Sequence, residues 1–199
     1  MTTLPTAADA RRGVGRHAAT MARRVLDVGR LVLVGAIAGA IWLGLGSRMA
    51  MRVVALANGH PTELTLAGTG FLLLAGTIAG AVVTVAIVGV LGRWVPPGRP
   101  GKLAVVALTA VVPALALLDP ANPDIVLFGH RWLTVGLFGL LPIAFGATVA
   151  RLLPLLAANA LGPRRDHGRY VRVGRLATLV LAGVGASTLA WRAVAVALV

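Results

Sequence analysis

The sequence predicts an all-α integral membrane bundle of five transmembrane helices, and three observations predict it. The 199 residues are 58% hydrophobic and only 13% charged, with a mean hydropathy of +0.89; soluble domains carry about 25% charged residues. The apolar residues gather in five stretches that can span, against a need of about 20 residues per crossing. The charge between those stretches is one-sided. Of nineteen basic residues, fifteen fall in three groups: Arg11, Arg12, Arg16, Arg23, Arg24 and Arg30; Arg93, Arg99 and Lys102; and Arg151, Arg164, Arg165, Arg169, Arg172 and Arg175. Arg48, Arg52, Arg131 and Arg192 lie at the opposite ends of the apolar stretches. Lys and Arg collect in short cytoplasmic loops because their passage across the bilayer is opposed. The pattern therefore predicts a cytoplasmic N-terminus and an extracytoplasmic C-terminus. An even number of spans would leave one basic group on the wrong side.

Residues 1–30 form a basic cytoplasmic tail. Its apolar positions Val14, Ala18, Met21, Val25 and Val28 recur at helical spacing, so two forms are open: an interfacial amphipathic helix or a partly disordered tail. A cleaved signal peptide does not fit, because Arg48 and Arg52 sit between the apolar run and the small-residue stretch Ala55-Leu56-Ala57.

The first span is expected over about residues 31–57, ~40 Å of helix, longer than a hydrocarbon core of roughly 30 Å. Its last third then emerges or tilts. Asn58-Gly59-His60-Pro61 breaks the chain, and the second span runs over 65–92. The third, 103–118, is short and contains Pro113; the fourth, 132–153, contains Pro142; the fifth covers 176–199. Near-identical GxxxG segments occur in the first two spans, at Gly35 and Gly39 and at Gly76 and Gly80. Small residues four apart let a neighbouring backbone approach, so these four positions are expected at helix contacts. Lying in antiparallel neighbours, the two motifs are expected at different depths.

The net charge of +13 reads as topology and attraction to anionic headgroups at the cytoplasmic face, not as nucleic-acid binding. Aromatics, at 5%, are too sparse for base-stacking platforms. With no cysteine, thiolate metal sites and Cys nucleophiles are excluded. No HExxH, GxSxG or phosphate-cradling GxxxxGK[ST] occurs. His17, His60, His130 and His167 are not spaced as metal ligands, and no carboxylate lies mid-span where a proton-coupled carrier needs one. No cofactor, metal or enzymatic activity is expected.

The most pointed cluster is Arg48 and Arg52, four apart and so on one helix face. Three arrangements remain open: an interfacial pair that snorkels at the end of an over-long helix, an ion-pair lock with Glu63, Asp119 or Asp124, and a site for an anionic ligand or lipid headgroup. His130-Arg131-Trp132 reads as an interfacial anchor. The function expected is that of a non-enzymatic membrane protein that packs with itself or with a membrane partner. The alternative is a small transporter or channel subunit for anionic solutes, with Arg48 and Arg52 at the outer mouth. Arg in place of Lys, with abundant Ala, Val and Gly, follows from GC-rich codons and points to a bacterial genome; with the spans and the basic clusters, the expected location is the bacterial cytoplasmic membrane.

The run Gly46-Ser47-Arg48-Met49-Ala50-Met51-Arg52-Val53-Val54-Ala55-Leu56, followed by Pro61 and Thr65-Leu66-Ala67-Gly68-Thr69, resembles a pattern in uncharacterised bacterial multi-pass membrane proteins. The segment from Asp124 through Trp132-Leu133-Thr134-Val135-Gly136-Leu137-Phe138 to Gly146 is similar to their fourth helix. The resemblance covers about a third of the chain. It implies a small helical bundle and brings no catalytic residues.

Overall fold

Apolar runs of this length in lipid must satisfy their own backbone groups, which favours helices. The computed structural model describes residues 7–61, 65–96, 98–118, 131–156 and 168–198, and among them there are helices and no strands. Among the described residues, five helices are long and apolar enough to cross a membrane: Ala19–Ala57, Leu66–Leu91, Arg99–Leu117, Arg131–Leu156 and Gly174–Ala195.

The first is one rod made of α1 (Ala7–Ala38), a π-helical segment (Gly39–Gly46) and α2 (Ser47–Ala57). The backbone stays right-handed helical through both junctions, at Ala38 and at Gly46–Ser47. The basic N-terminal region is therefore helical from Ala7 and runs into the first span without a break. Asp27 pairs with Arg30 at 3.6 Å one turn away, while Met21, Val25 and Val28 are exposed. Residues 1–6 lie outside the described set.

Helix α2 stops in a Schellman motif. Gly59 takes φ +71°, His60 N donates to Ala55 O at 3.0 Å and Gly59 N donates to Leu56 O at 3.1 Å. This conformation is open to glycine and strained for residues with a Cβ. Helix α3 (Leu66–Leu91) starts from Thr65, whose hydroxyl accepts from Gly68 N at 3.3 Å. It ends in a short 3₁₀ turn, Gly92–Trp94. Helix α4 (Arg99–Leu117) begins four residues before the sequence places the third span. Pro100 accounts for this, since proline is favoured in a first helical turn. Pro113 and Pro142 are both buried within continuous helices.

Helix α5 (Arg131–Leu156) is the axis of the bundle. Half of its most apolar stretch is buried, whereas the apolar part of α6 (Gly168–Leu198), Gly174–Ala195, is mostly exposed. Phe138, Phe145 and Val149 are almost fully enclosed. Phe145 and Val149 share one core with Leu31, Val34 and Val88; Phe138 joins Ala50, Val54 and Leu118 in a second. The α1–α3 hairpin packs against the α4–α5 hairpin, and α6 leans mainly on α4. Gly146 allows the α4–α5 approach, because a Cβ there would sit 2.6 Å from Val106 O and 2.9 Å from Thr109 Oγ1.

One expectation about the first hairpin is corrected. The two GxxxG motifs do not lie at different depths; they face each other, Gly35 against Gly80 and Gly39 against Gly76. The two pairs are symmetric about the same point in the chain, the Ala57–Asn58 junction at the end of α2, so one register of the hairpin aligns both.

Candidate functional site

A glycine seam joins the first two spans, and its geometry decides where Ser47, Arg48 and Arg52 point. A Cβ added at Gly35 would lie 2.8 Å from Ala81 Cα, and one at Gly39 would lie 2.9 Å from Gly80 Cα. The Cα–H directions of Gly35 and Gly80 each aim at the other's carbonyl oxygen, the geometry of weak Cα–H···O bonds between close helices. Thr84 Oγ1 is buried in this seam beside Gly35 and has no hydrogen-bond partner among the described residues. The ordinary acceptor of a helical threonine, here the Gly80 carbonyl, is the oxygen that meets Gly35.

The seam continues to Gly44, whose Cβ would fall 2.9 Å from Leu73 Cα. From Gly39 to Gly44 is a step of five. In an α-helix such a step turns a residue away from the face set by Gly35 and Gly39; the i→i+5 repeat of the π-helical segment brings it back. Ala38 and Leu43 show the same five-residue step, after which Ser47, Ala50 and Val54 resume burial at α-helical spacing. The extra residue thus keeps one buried face from Leu31 to Val54. The opposite side of the π segment meets α5: Trp42 Nε1 donates to Thr148 Oγ1 at 2.8 Å, and a Cβ on Gly46 would lie 2.7 Å from Leu141 Cδ2.

Beyond the π segment, Ser47 is buried and its Oγ donates to Leu43 O at 2.6 Å. Ala50 and Val54 are seated against Val135, Phe138 and Leu141. With that face fixed, Arg48 is half-buried and Arg52 is exposed. The Arg48 guanidinium reaches the first turn of α3, where a Cβ on Gly68 would lie 3.8 Å from its Nη2. The N-terminus of a helix carries partial positive charge, so a cation gains nothing from that end by itself and calls for an anionic neighbour. Glu63, Asp119 and Asp124 lie outside the described residues. Around the turn, Asn58 Nδ2 donates to Val54 O at 2.8 Å and Thr69 Oγ1 to Thr65 O at 3.0 Å; His60 is exposed.

Three side chains with clear structural work carry no strong sequence signal. Trp42 and Thr148 are 106 residues apart. Arg192, near the end of the last span, donates from Nη1 to Leu115 O at 3.2 Å. That carbonyl belongs to the last turn of α4, where no intrahelical donor remains. A cation near a helix C-terminus also meets the favourable end of the dipole. Only its position near a span end hinted at Arg192; nothing pointed to α4 as its partner. Among the described residues, no group of three His, Cys, Asp or Glu could hold a metal ion.

Comparison with protein-family models, with curated proteins and with solved structures finds no match to this chain.

Proposed function

We propose that the chain is a five-span integral protein of a bacterial cytoplasmic membrane, cytoplasmic at its basic N-terminal end, with a non-enzymatic role as a helical unit that packs with itself or with a membrane partner. The observation that carries this reading is the coverage of the spans. The central helix is half buried along its apolar stretch, whereas only 17% of the most apolar stretch of Gly174–Ala195 is buried. That last helix exposes Leu176, Val180, Leu181, Val184 and Trp191, a surface suited to lipid or to another helix and too apolar for water.

Two further features support the orientation. Arg99, Lys102 and Arg151 lie at one end of the bundle with Trp94, while Arg48, Arg52, Arg131 and Arg192 lie at the other with Trp132 and Trp191. Trp at both ends of apolar spans suits interfacial anchoring. The backbone contact between α1 and α3 leaves no passage along that seam, which weighs against the conduit reading. We assign Arg48 to an ion pair with a carboxylate of the extracytoplasmic loops. Glu63, two residues before the Thr65 cap, is the candidate closest in sequence to Gly68.

Alkaline phosphatase and a fluorescent protein fused in turn to the C-terminus test the orientation. Phosphatase activity without fluorescence is expected; the reverse result removes the odd number of spans. The chain has no cysteine, so Leu181→Cys and Val184→Cys report self-association directly by oxidative crosslinking in native membranes. A crosslinked dimer at either position supports self-packing, and monomer at both removes it for this face.

A further inference from the structure

At the end of the bundle away from Arg48, a cleft of about 120 Å³ opens between the first turn of α4, the last turn of α5 and the segment joining α3 to α4. Its wall is apolar: Val95, Pro96, Val105, Ala150, Leu153 and Pro154. Lys102 is the one charged side chain in that wall. Arg99 precedes it by one helical turn, and Arg151 follows Ala150 directly on α5; all three cations are exposed. Among the described residues none of the three takes part in an ion pair.

The mouth is shaped by two backbone features. Gly98 takes φ +82° as the chain turns into α4, and Gly101 packs its Cα against the Pro96 carbonyl. A side chain at Gly101 would push the linker off α4 and close the cleft from that side. The N-terminus of α4 adds its partial positive charge to the same rim. An apolar slot beneath a cationic rim complements a molecule with an anionic head and an aliphatic tail. A free inorganic anion would use the rim and leave the slot empty. A neutral lipid would use the slot and leave the cations unsatisfied.

We infer that this cleft binds one anionic phospholipid, with its phosphodiester against Lys102, Arg99 and Arg151 and an acyl chain along Val105, Leu153 and Pro154. Basic pockets between spans on the cytoplasmic side recognise anionic headgroups in this way. The inference rests on the membrane reading above and adds a specific lipid site to it. Because the cations are exposed, binding weakens as ionic strength rises.

Native mass spectrometry of the full chain in mild detergent, titrated with phosphatidylglycerol or phosphatidylcholine, tests the site. A single tight phosphatidylglycerol adduct is expected, with phosphatidylcholine at least about tenfold weaker. The double variant Arg99→Ala, Lys102→Ala should lose that preference, and Pro154→Trp, which fills the slot from its rim, should weaken the adduct while leaving the cations in place. Arg30→Ala, at a cation already paired with Asp27, should leave binding unchanged. Phosphatidylglycerol bound no better than phosphatidylcholine, or an adduct that survives the double variant, overturns the site. Displacement of the lipid by millimolar inorganic phosphate also overturns it, in favour of a plain anion site. A chain that stays soluble without detergent would instead overturn the membrane reading itself, so the two failures are distinct.

Discussion

Substituting Gly39 by alanine isolates the glycine seam from every other feature of the bundle. The added Cβ would lie 2.9 Å from Gly80 Cα and closer still to the Gly76 carbonyl oxygen, and both are backbone atoms that no rotamer change can move. Carbon contacts settle near 3.5–4.0 Å, and a gap of about 0.5–1 Å forfeits a quarter to a half of each contact. The helices must therefore separate by roughly 1 Å along the seam. Overpacking of this kind costs about 1–3 kcal/mol, offset by about 0.5–1 kcal/mol from replacing a helical glycine with alanine. The net expectation for Gly39→Ala is a loss of about 1–2 kcal/mol. Gly183 is the control: it lies inside α6, is exposed, and has nothing within 4 Å of the place a methyl group would take. Gly183→Ala gains the propensity term alone, up to about 1 kcal/mol. Thermal unfolding of both variants in one detergent, followed by size exclusion after heating, should place Gly39→Ala several degrees below wild type and Gly183→Ala at or above it. If Gly39→Ala melts as high as Gly183→Ala, the close approach is not what holds the first two spans together.

The two arginines of α2 should separate on substitution. Arg48→Ala is expected to lower the melting point more than Arg52→Ala, because Arg48 is half-buried beside Gly68 and Arg52 is exposed. Removing the buried member of a charge pair strands its partner; equal, negligible shifts would return both to interfacial anchoring. The π segment gives an asymmetric length test at Ile41, which is exposed. Deleting Ile41 turns the five-residue step from Gly39 to Gly44 into a four-residue step that an α-helix can follow, so the variant should fold and melt within a few degrees of wild type. Inserting one alanine after Ile41 turns Gly44, Ser47 and Arg48 off their faces and should lower folded yield severely. If deletion is as damaging as insertion, the π segment is not a register correction.

The all-helical class, the five long apolar helices and the segregation of basic residues were legible in the chain alone, because they follow from composition and from the period of a single segment. The sequence also singled out Gly35, Gly39, Gly76 and Gly80 from spacing alone, and the break at Asn58-Gly59-His60-Pro61 from local turn chemistry; the Thr65 cap emerged only in the structure. What it could not give was register between helices. Equal depth for Gly39 and Gly76 depends on where the turn falls and on the extra residue in Gly39–Gly46, and no periodicity in one helix encodes either. Nor could it pair Trp42 with Thr148 or Arg192 with Leu115, since any polar group at the right depth would do. The cleft beside Lys102 belongs to the same class: it forms only where the start of α4, the end of α5 and the preceding linker converge. Local propensity and hydropathy act along the chain, whereas close packing acts between segments, and only the folded bundle brings those segments together.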